Sequence, residues 1–334
     1  MILNPFALTA LFVGVISLLL IAASVVSAFH FSRRMKQSAD ADERATAKDR
    51  VHLSFLLIAT AFILRLASWP LFYILLQSYI PLIPGAMCIF GVTQVRPGFT
   101  LFLEIVKPAA FFLIGGWLIL YRLDLALKTR PLVRNVLRFL AVVSLVAAVD
   151  AAAELAFLLS FSPPGIAVSC CTAVTDMAFA AAKLNPDALF GAARVPLIIG
   201  TYYGCSIALI LLLGFLLARK ASGLVSLPRL ALTAGISCFG VFITYAAYRE
   251  RLGPQMMGLP DHHCLYCLLQ YQPLSILILG LFLLGSFLAI WPLLLRCLAP
   301  PATAAEHLET LNRNLYRSAL VCLAIALLMT WMLT

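Results

Sequence analysis

The sequence predicts an all-α integral membrane protein: an eight-span transmembrane helical bundle with both termini extracytoplasmic. Three observations carry this. Of 334 residues, 63% are hydrophobic and 11% charged, with a mean hydropathy of +1.02, more apolar surface than a water-soluble chain of this length can hide. Eight apolar runs reach the ~20 residues needed to cross a bilayer, and isolated strands there would leave backbone groups unpaired, so each run must be helical. The basic residues fall between the runs, and they alternate in density from one connection to the next.

The runs fall at roughly 7–30, 51–79, 99–122, 137–160, 196–218, 229–249, 273–296 and 318–334. The first lacks a basic region before it and an Ala-x-Ala site after it, so it is read as a retained helix and not a cleaved signal. The connections 31–50, 122–138, 219–229 and 296–317 hold seventeen of the 24 Lys and Arg, whereas 80–98, 161–195 and 249–272 hold five. Arg65 and Lys107, inside runs, complete the total. The positive-inside rule places the first set in the cytoplasm and the second outside it. By analogy this is a bacterial inner membrane with the second set facing the periplasm. The formal charge of +10 follows from that topology and is not gathered in one patch, so nucleic acid is not an expected partner; the lipid bilayer is.

The first cytoplasmic connection mixes both signs from Arg33 to Arg50 and reads as a solvated helix extension or loop. The segment Thr303–Arg317 sets Leu308, Leu311 and Leu315 against Glu306, Glu309 and Arg313, the pattern of an amphipathic helix on the membrane surface. No soluble domain is long enough to stand alone, which leaves a single polytopic membrane domain, 1–334. Candidate hairpin repeats lie around 51–122, 137–218 and 229–296. Aligning Cys88 with Cys170 also pairs Val92 with Val174 and Thr93 with Thr175, and aligning Cys264 with Cys88 pairs Gln270 with Gln94.

Cysteine chemistry is concentrated on the extracytoplasmic side. Cys88, the Cys170–Cys171 pair and the Cys264-x-x-Cys267 motif, preceded by His262 and His263, lie in the three connections assigned there. Five thiols and two imidazoles would share one face. Thiols outside the cytoplasm oxidise readily, so an outward CxxC is a structural disulfide, a redox couple or a metal site. If Cys264 and Cys267 begin a helical turn, their sulfurs lie on one face. The helix N-terminus and a protonated His262 or His263 would then stabilise a thiolate. The thiolate is the attacking species in exchange, so the more exposed Cys264 is the expected nucleophile and Cys267 the resolving thiol. Cys88 with Cys170 and Cys171 would form a second couple. Cys205, Cys238, Cys297 and Cys322 lie within spans or at a cytoplasmic end and are expected to pack as small apolar residues.

In arrangement these loops resemble the quinone-linked disulfide-generating membrane proteins, including the vitamin K epoxide reductase type. The likeness covers the CxxC and the placing of loop cysteines, not an aligned stretch. It implies a thiol/disulfide oxidoreductase that meets a periplasmic thiol protein, with quinone as a candidate electron acceptor. A second reading uses the same atoms: His262, His263, Cys264 and Cys267 offer donors suited to copper, zinc or mercury, in a soft-metal transporter or metal-delivery protein. A third is a non-catalytic membrane subunit of a larger complex.

Five ionisable residues fall inside apolar runs, where charge is costly: Arg65, Glu104, Lys107, Asp150 and Glu154. Two expectations stand side by side. One is a set of structural ion pairs, Glu104 with Lys107 and Arg65 with an acid of the fourth span. The other is a proton or ion path beneath the cysteine loops. Haem is disfavoured, since all five histidines lie at span ends or in connections, and no Gly-rich nucleotide loop occurs.

Overall fold

The computed structural model describes residues 4–37, 40–127, 130–161, 168, 194–218, 225–260, 262–299 and 301–334. Among these there is no strand, and eight helices are long and apolar enough to cross a membrane. The chain divides into two compact units, Met1–Val168 and Ser169–Thr334.

The first unit contains α1 (Pro5–Gln37), α2 (Ala41–Tyr79), the short α3 (Ile89–Thr93), α4 (Pro97–Ala126) and α5 (Val133–Ser160). The mixed-charge connection is helical on both sides: Asp40 caps α2 by accepting from the Asp42 N–H at 3.2 Å. Pro97, in the first turn of α4, needs no donor there and fixes the backbone for helix entry. Arg96, just before it, donates to the Ser160 carbonyl at 3.0 and 3.2 Å and so ties the start of α4 to the end of α5. At the opposite ends of these helices the buried Asp124 accepts from the Leu132 N–H at 2.9 Å. Asp124→Ala strands that amide, and a loss of about 1 kcal/mol is expected, read as a lower thermal midpoint in detergent. The four long helices close a ring: α1 packs on α2 and α5, α4 packs on α5, and α2 reaches α4. Trp117 stacks on Tyr121 at 5.3 Å, and its indole N–H donates to the Val136 carbonyl at 3.1 Å.

The second unit repeats the plan. It contains α6 (Val195–Ala218), α7 (Leu227–Ala247), a π-helical turn (Tyr248–Leu252) that continues into α8 (Gly253–Met257), the short α9 (Leu265–Tyr271), α10 (Leu274–Leu298) and α11 (Pro301–Leu333). Here α6 packs on α7 and α11, and α10 packs on the same two. In the core a hydroxyl group of three joins three helices. Thr330 gives its only hydroxyl proton to the Ala326 carbonyl at 2.8 Å. Its oxygen therefore accepts from Tyr248 at 2.6 Å and from Tyr202 at 3.4 Å.

Two sequence expectations are corrected here. The sixth span does not stop near 249 but runs to Met257 through the π turn. Thr303–Arg317 is not a separate surface helix; it is the first half of α11, with Leu308 and Leu315 buried inside the unit at 1% and 7% exposure. An apolar stripe marks a helix face that needs covering, and here the neighbouring helices cover it in place of lipid headgroups.

Candidate functional site

The CxxC is set up by the chain that leads into it. Gly258 adopts a left-handed conformation (φ 68°) and ends α8, a position glycine fills without Cβ strain. Cys264 is the N-cap residue of α9, its carbonyl accepting from the Leu268 N–H at 3.1 Å, and Cys267 lies in the first turn. The two sulfurs are within 4.8 Å of each other, on one face as the spacing predicts. The helix has only seven residues, too short for its dipole to weigh much. The expectation that Cys264 is the more exposed thiol is reversed: Cys264 is 1% exposed and Cys267 7%.

Behind the motif lies the π turn, and two residues explain it. Pro254 has no N–H, and the Gly253 N–H goes back five residues to the Tyr248 carbonyl. The Arg249 carbonyl thereby loses its donor in the α register, Gly253, and its donor in the π register, Pro254. A buried carbonyl needs a hydrogen from elsewhere, and His263 supplies it through Nδ1 at 3.0 Å. Because a carbonyl can only accept, Nδ1 carries the proton, and in the neutral ring Nε2 presents the lone pair. The same turn buries Arg249 and Glu250, 3.4 Å apart, and sets Oε2 of Glu250 4.0 Å from His263 Nδ1. Sequence reasoning placed Arg249 at a span end and assigned Glu250 no role. The available signal was Gly253-Pro254 following a charged triplet in an otherwise apolar run.

Cys88 occupies the matching place in the first unit. It is the N-cap residue of α3, 2% exposed, between the second and third long helices. Cys170 and Cys171 lie outside the described residues. His262 is half-buried, its N–H donating to the Leu259 carbonyl at 3.1 Å.

The intramembrane charges form a ring in the first unit. Arg65 pairs with Asp150 and, at 2.8 Å, with Glu154. Lys107 Nζ lies 3.2 Å from Asp150 and 2.9 Å from Glu154. Each base thus touches both acids, and all four residues are 3% exposed or less. The expected pairing of Arg65 with an acid of the fourth span is found. Lys107 reaches across to those same acids, and Glu104, three residues before it, is half-buried. The Phe72 ring, 5.0 Å from Lys107 Nζ, adds a cation–π contact.

Comparison with protein-family models, with curated proteins and with solved structures finds no match.

Proposed function

We propose that the protein is a membrane-embedded thiol/disulfide redox protein whose exchanging pair is Cys264 and Cys267, on the extracytoplasmic face. The observation that carries this is the approach of the two sulfurs to within 4.8 Å across one helical turn. Side-chain rotation and a small shift of the cap close that gap to the ~2 Å of an S–S bond. In exchange, one thiolate of the pair attacks one sulfur of a partner disulfide, whose S–S bond breaks and releases one partner thiolate. The other thiol of the pair then attacks the first one's sulfur in the mixed disulfide and releases the second. Two electrons pass to the partner, and the two protons of the pair end on its thiols. Run in reverse, the pair oxidises a dithiol of a periplasmic protein, and a quinone taking two electrons and two protons restores the disulfide. His263, held through Nδ1, is the positioned imidazole of this site, and Cys88 with Cys170 and Cys171 forms the second couple. Burial of both sulfurs favours a thin reactant, such as an extended peptide or a small disulfide. Soft-metal transfer is the second reading, because two thiol sulfurs within 4.8 Å of each other offer the soft donors that copper, zinc or mercury prefers.

Thiol counting by alkylation and mass spectrometry, with elemental analysis of the purified protein, tests this. Cys264 and Cys267 are expected to be masked together by an oxidant and released together by a reductant, with no stoichiometric metal. Of Cys264→Ser and Cys267→Ser, one should accumulate a mixed disulfide that the other does not form, and the thiol held in it is the attacking one. Stoichiometric copper, zinc or mercury that is lost in Cys264→Ser moves the assignment to metal transfer. Thiols that stay alkylatable whatever the oxidant remove the redox assignment.

A further inference from the structure

Three spans of the second unit end around an open cavity of about 640 Å3, within the ~300–1,000 Å3 of small-molecule sites. Pro196, Ile199 and Tyr203, near the start of α6, form one wall. Arg251 and Gln255, of the π turn and α8, form a second, and Thr334, just past α11, the third. Gln255 Nε2 donates to the Thr334 carbonyl at 2.6 Å and so ties the second wall to the third.

These helix ends fix the depth of the cavity. All three walls come from the ends of spans, so the cavity lies where hydrocarbon gives way to lipid headgroups. Trp331, one turn before Thr334 and 70% exposed, is the kind of side chain that settles at that level.

The lining divides by chemistry in the same sense. The π turn buries Arg249 and Glu250 and leaves Arg251 exposed. Arg251 has no ion pair among the described residues; the acid beside it in the chain lies 3.4 Å from Arg249 and 4.0 Å from His263. Tyr203 adds a hydroxyl to the lining, and no acidic side chain of the described residues lines the cavity. Apolar surface continues from it toward the middle of the span. Every fourth residue of α6 after Pro196 is small and exposed, as Gly200, Gly204 and Ala208. A Cβ built on either glycine meets nothing within 4 Å, and Leu197 and Leu211 stand exposed beside this shallow furrow. A cation at headgroup depth next to an open apolar furrow matches a molecule that carries an anion above an alkyl chain. A neutral head would leave the guanidinium without a counter-charge. A zwitterionic head would bring an ammonium that no acid here can meet.

We propose that this cavity binds the headgroup of an anionic phospholipid, with Arg251 on the phosphate and one acyl chain lying along Gly200 and Gly204. The planar fork of an arginine donates two parallel N–H bonds to two phosphate oxygens, which a lysine at the same place would not do. No covalent bond is made or broken, and the site does not draw on the thiol pair.

Photolabelling of the full chain in detergent micelles tests this. The probe is phosphatidylglycerol with a diazirine on one acyl chain near the glycerol, and labelled peptides are mapped by mass spectrometry. Label is expected on the segments 195–208 and 328–334. Unlabelled phosphatidylglycerol should displace it, and phosphatidylcholine with the same chains should do so roughly five- to tenfold less well, the worth of one charge-assisted contact. Arg251→Gln should weaken labelling by a similar factor. Arg229→Gln, which alters an exposed arginine at the other end of α7, should leave it unchanged. Glycerol phosphate, which carries the anion without the chains, should not compete. Equal competition by phosphatidylcholine overturns the proposal in wild type, without need of a variant. Full competition by glycerol phosphate overturns it too, since the site is then one for free phosphate esters. Labelling that survives Arg251→Gln undiminished overturns it as well.

Discussion

Arg65→Ala is expected to destabilise the protein by about 3–5 kcal/mol, enough to unfold the first unit at room temperature or nearly so. The cost comes from what is left behind. Asp150 and Glu154 are four residues apart on one helix face and 2% and 0% exposed. Without the guanidinium they face one ammonium between them, in an interior that cannot solvate the second charge. Pairing the change with removal of one acid should reverse most of the loss. Arg65→Met with Asp150→Leu leaves Lys107 and Glu154 as a neutral pair at 2.9 Å. Chemical denaturation of the two variants in detergent gives the comparison. An Arg65→Ala cost below about 1 kcal/mol, the range of exposed pairs, is incompatible with the ring described above.

Gly253→Ala is expected to damage the thiol site without touching a thiol. A Cβ at 253 would lie 2.5 Å from the Tyr248 carbonyl oxygen and 3.4 Å from Leu268 Cδ2. The first of these is backbone and cannot swing away, so the π turn must open or shift. The strain is of order 1–3 kcal/mol. The larger effect falls on chemistry, because the Arg249 carbonyl that fixes His263 moves with the turn. In the exchange reaction proposed above, rates should fall well beyond what the lost stability accounts for, and alkylation of Cys267 should change in step. Gly258→Asn is the control: φ is 68° with nothing within 4 Å of an added Cβ, and asparagine tolerates that conformation. A small effect at 258 with a large one at 253 is the expected pattern, read from thermal midpoints and alkylation kinetics together.

How much of this was legible beforehand depends on how local the signal is. Eight apolar runs are a local property, and all eight become long helices. The facing of Cys264 and Cys267 is likewise local, since a spacing of three fixes it. The partner of Lys107 is not. Spacing along one helix offers Glu104, whereas the ammonium crosses to Asp150 and Glu154 on a helix 43 and 47 residues further on. Pairing of Arg65 with that helix was legible because an unpaired cation in a span needs some acid, and few acids are available. The π turn escaped because hydrophobic periodicity cannot register one extra residue in a helix. A charged triplet next to Gly-Pro also looks like the end of a span. Exposure of Cys264 escaped for a related reason, since what covers a residue lies far from it in the chain. The segment before the last span had the right stripe, but a stripe does not say whether protein or lipid will cover it.

The charge ring also has a history within each molecule's synthesis. Arg65 is made 85 residues before Asp150, so its helix must enter the bilayer, or wait at the translocon, with no anion to meet it. Lys107 follows and doubles the problem, each unpaired cation costing roughly 2.5–3.5 kcal/mol at mid-bilayer on insertion scales. Only when the helix bearing both acids emerges is the debt cancelled. The first four spans should therefore integrate as a group, and a ribosome stalled before Asp150 should leave a nascent chain that salt or alkali extracts from the membrane more readily than one stalled after Glu154.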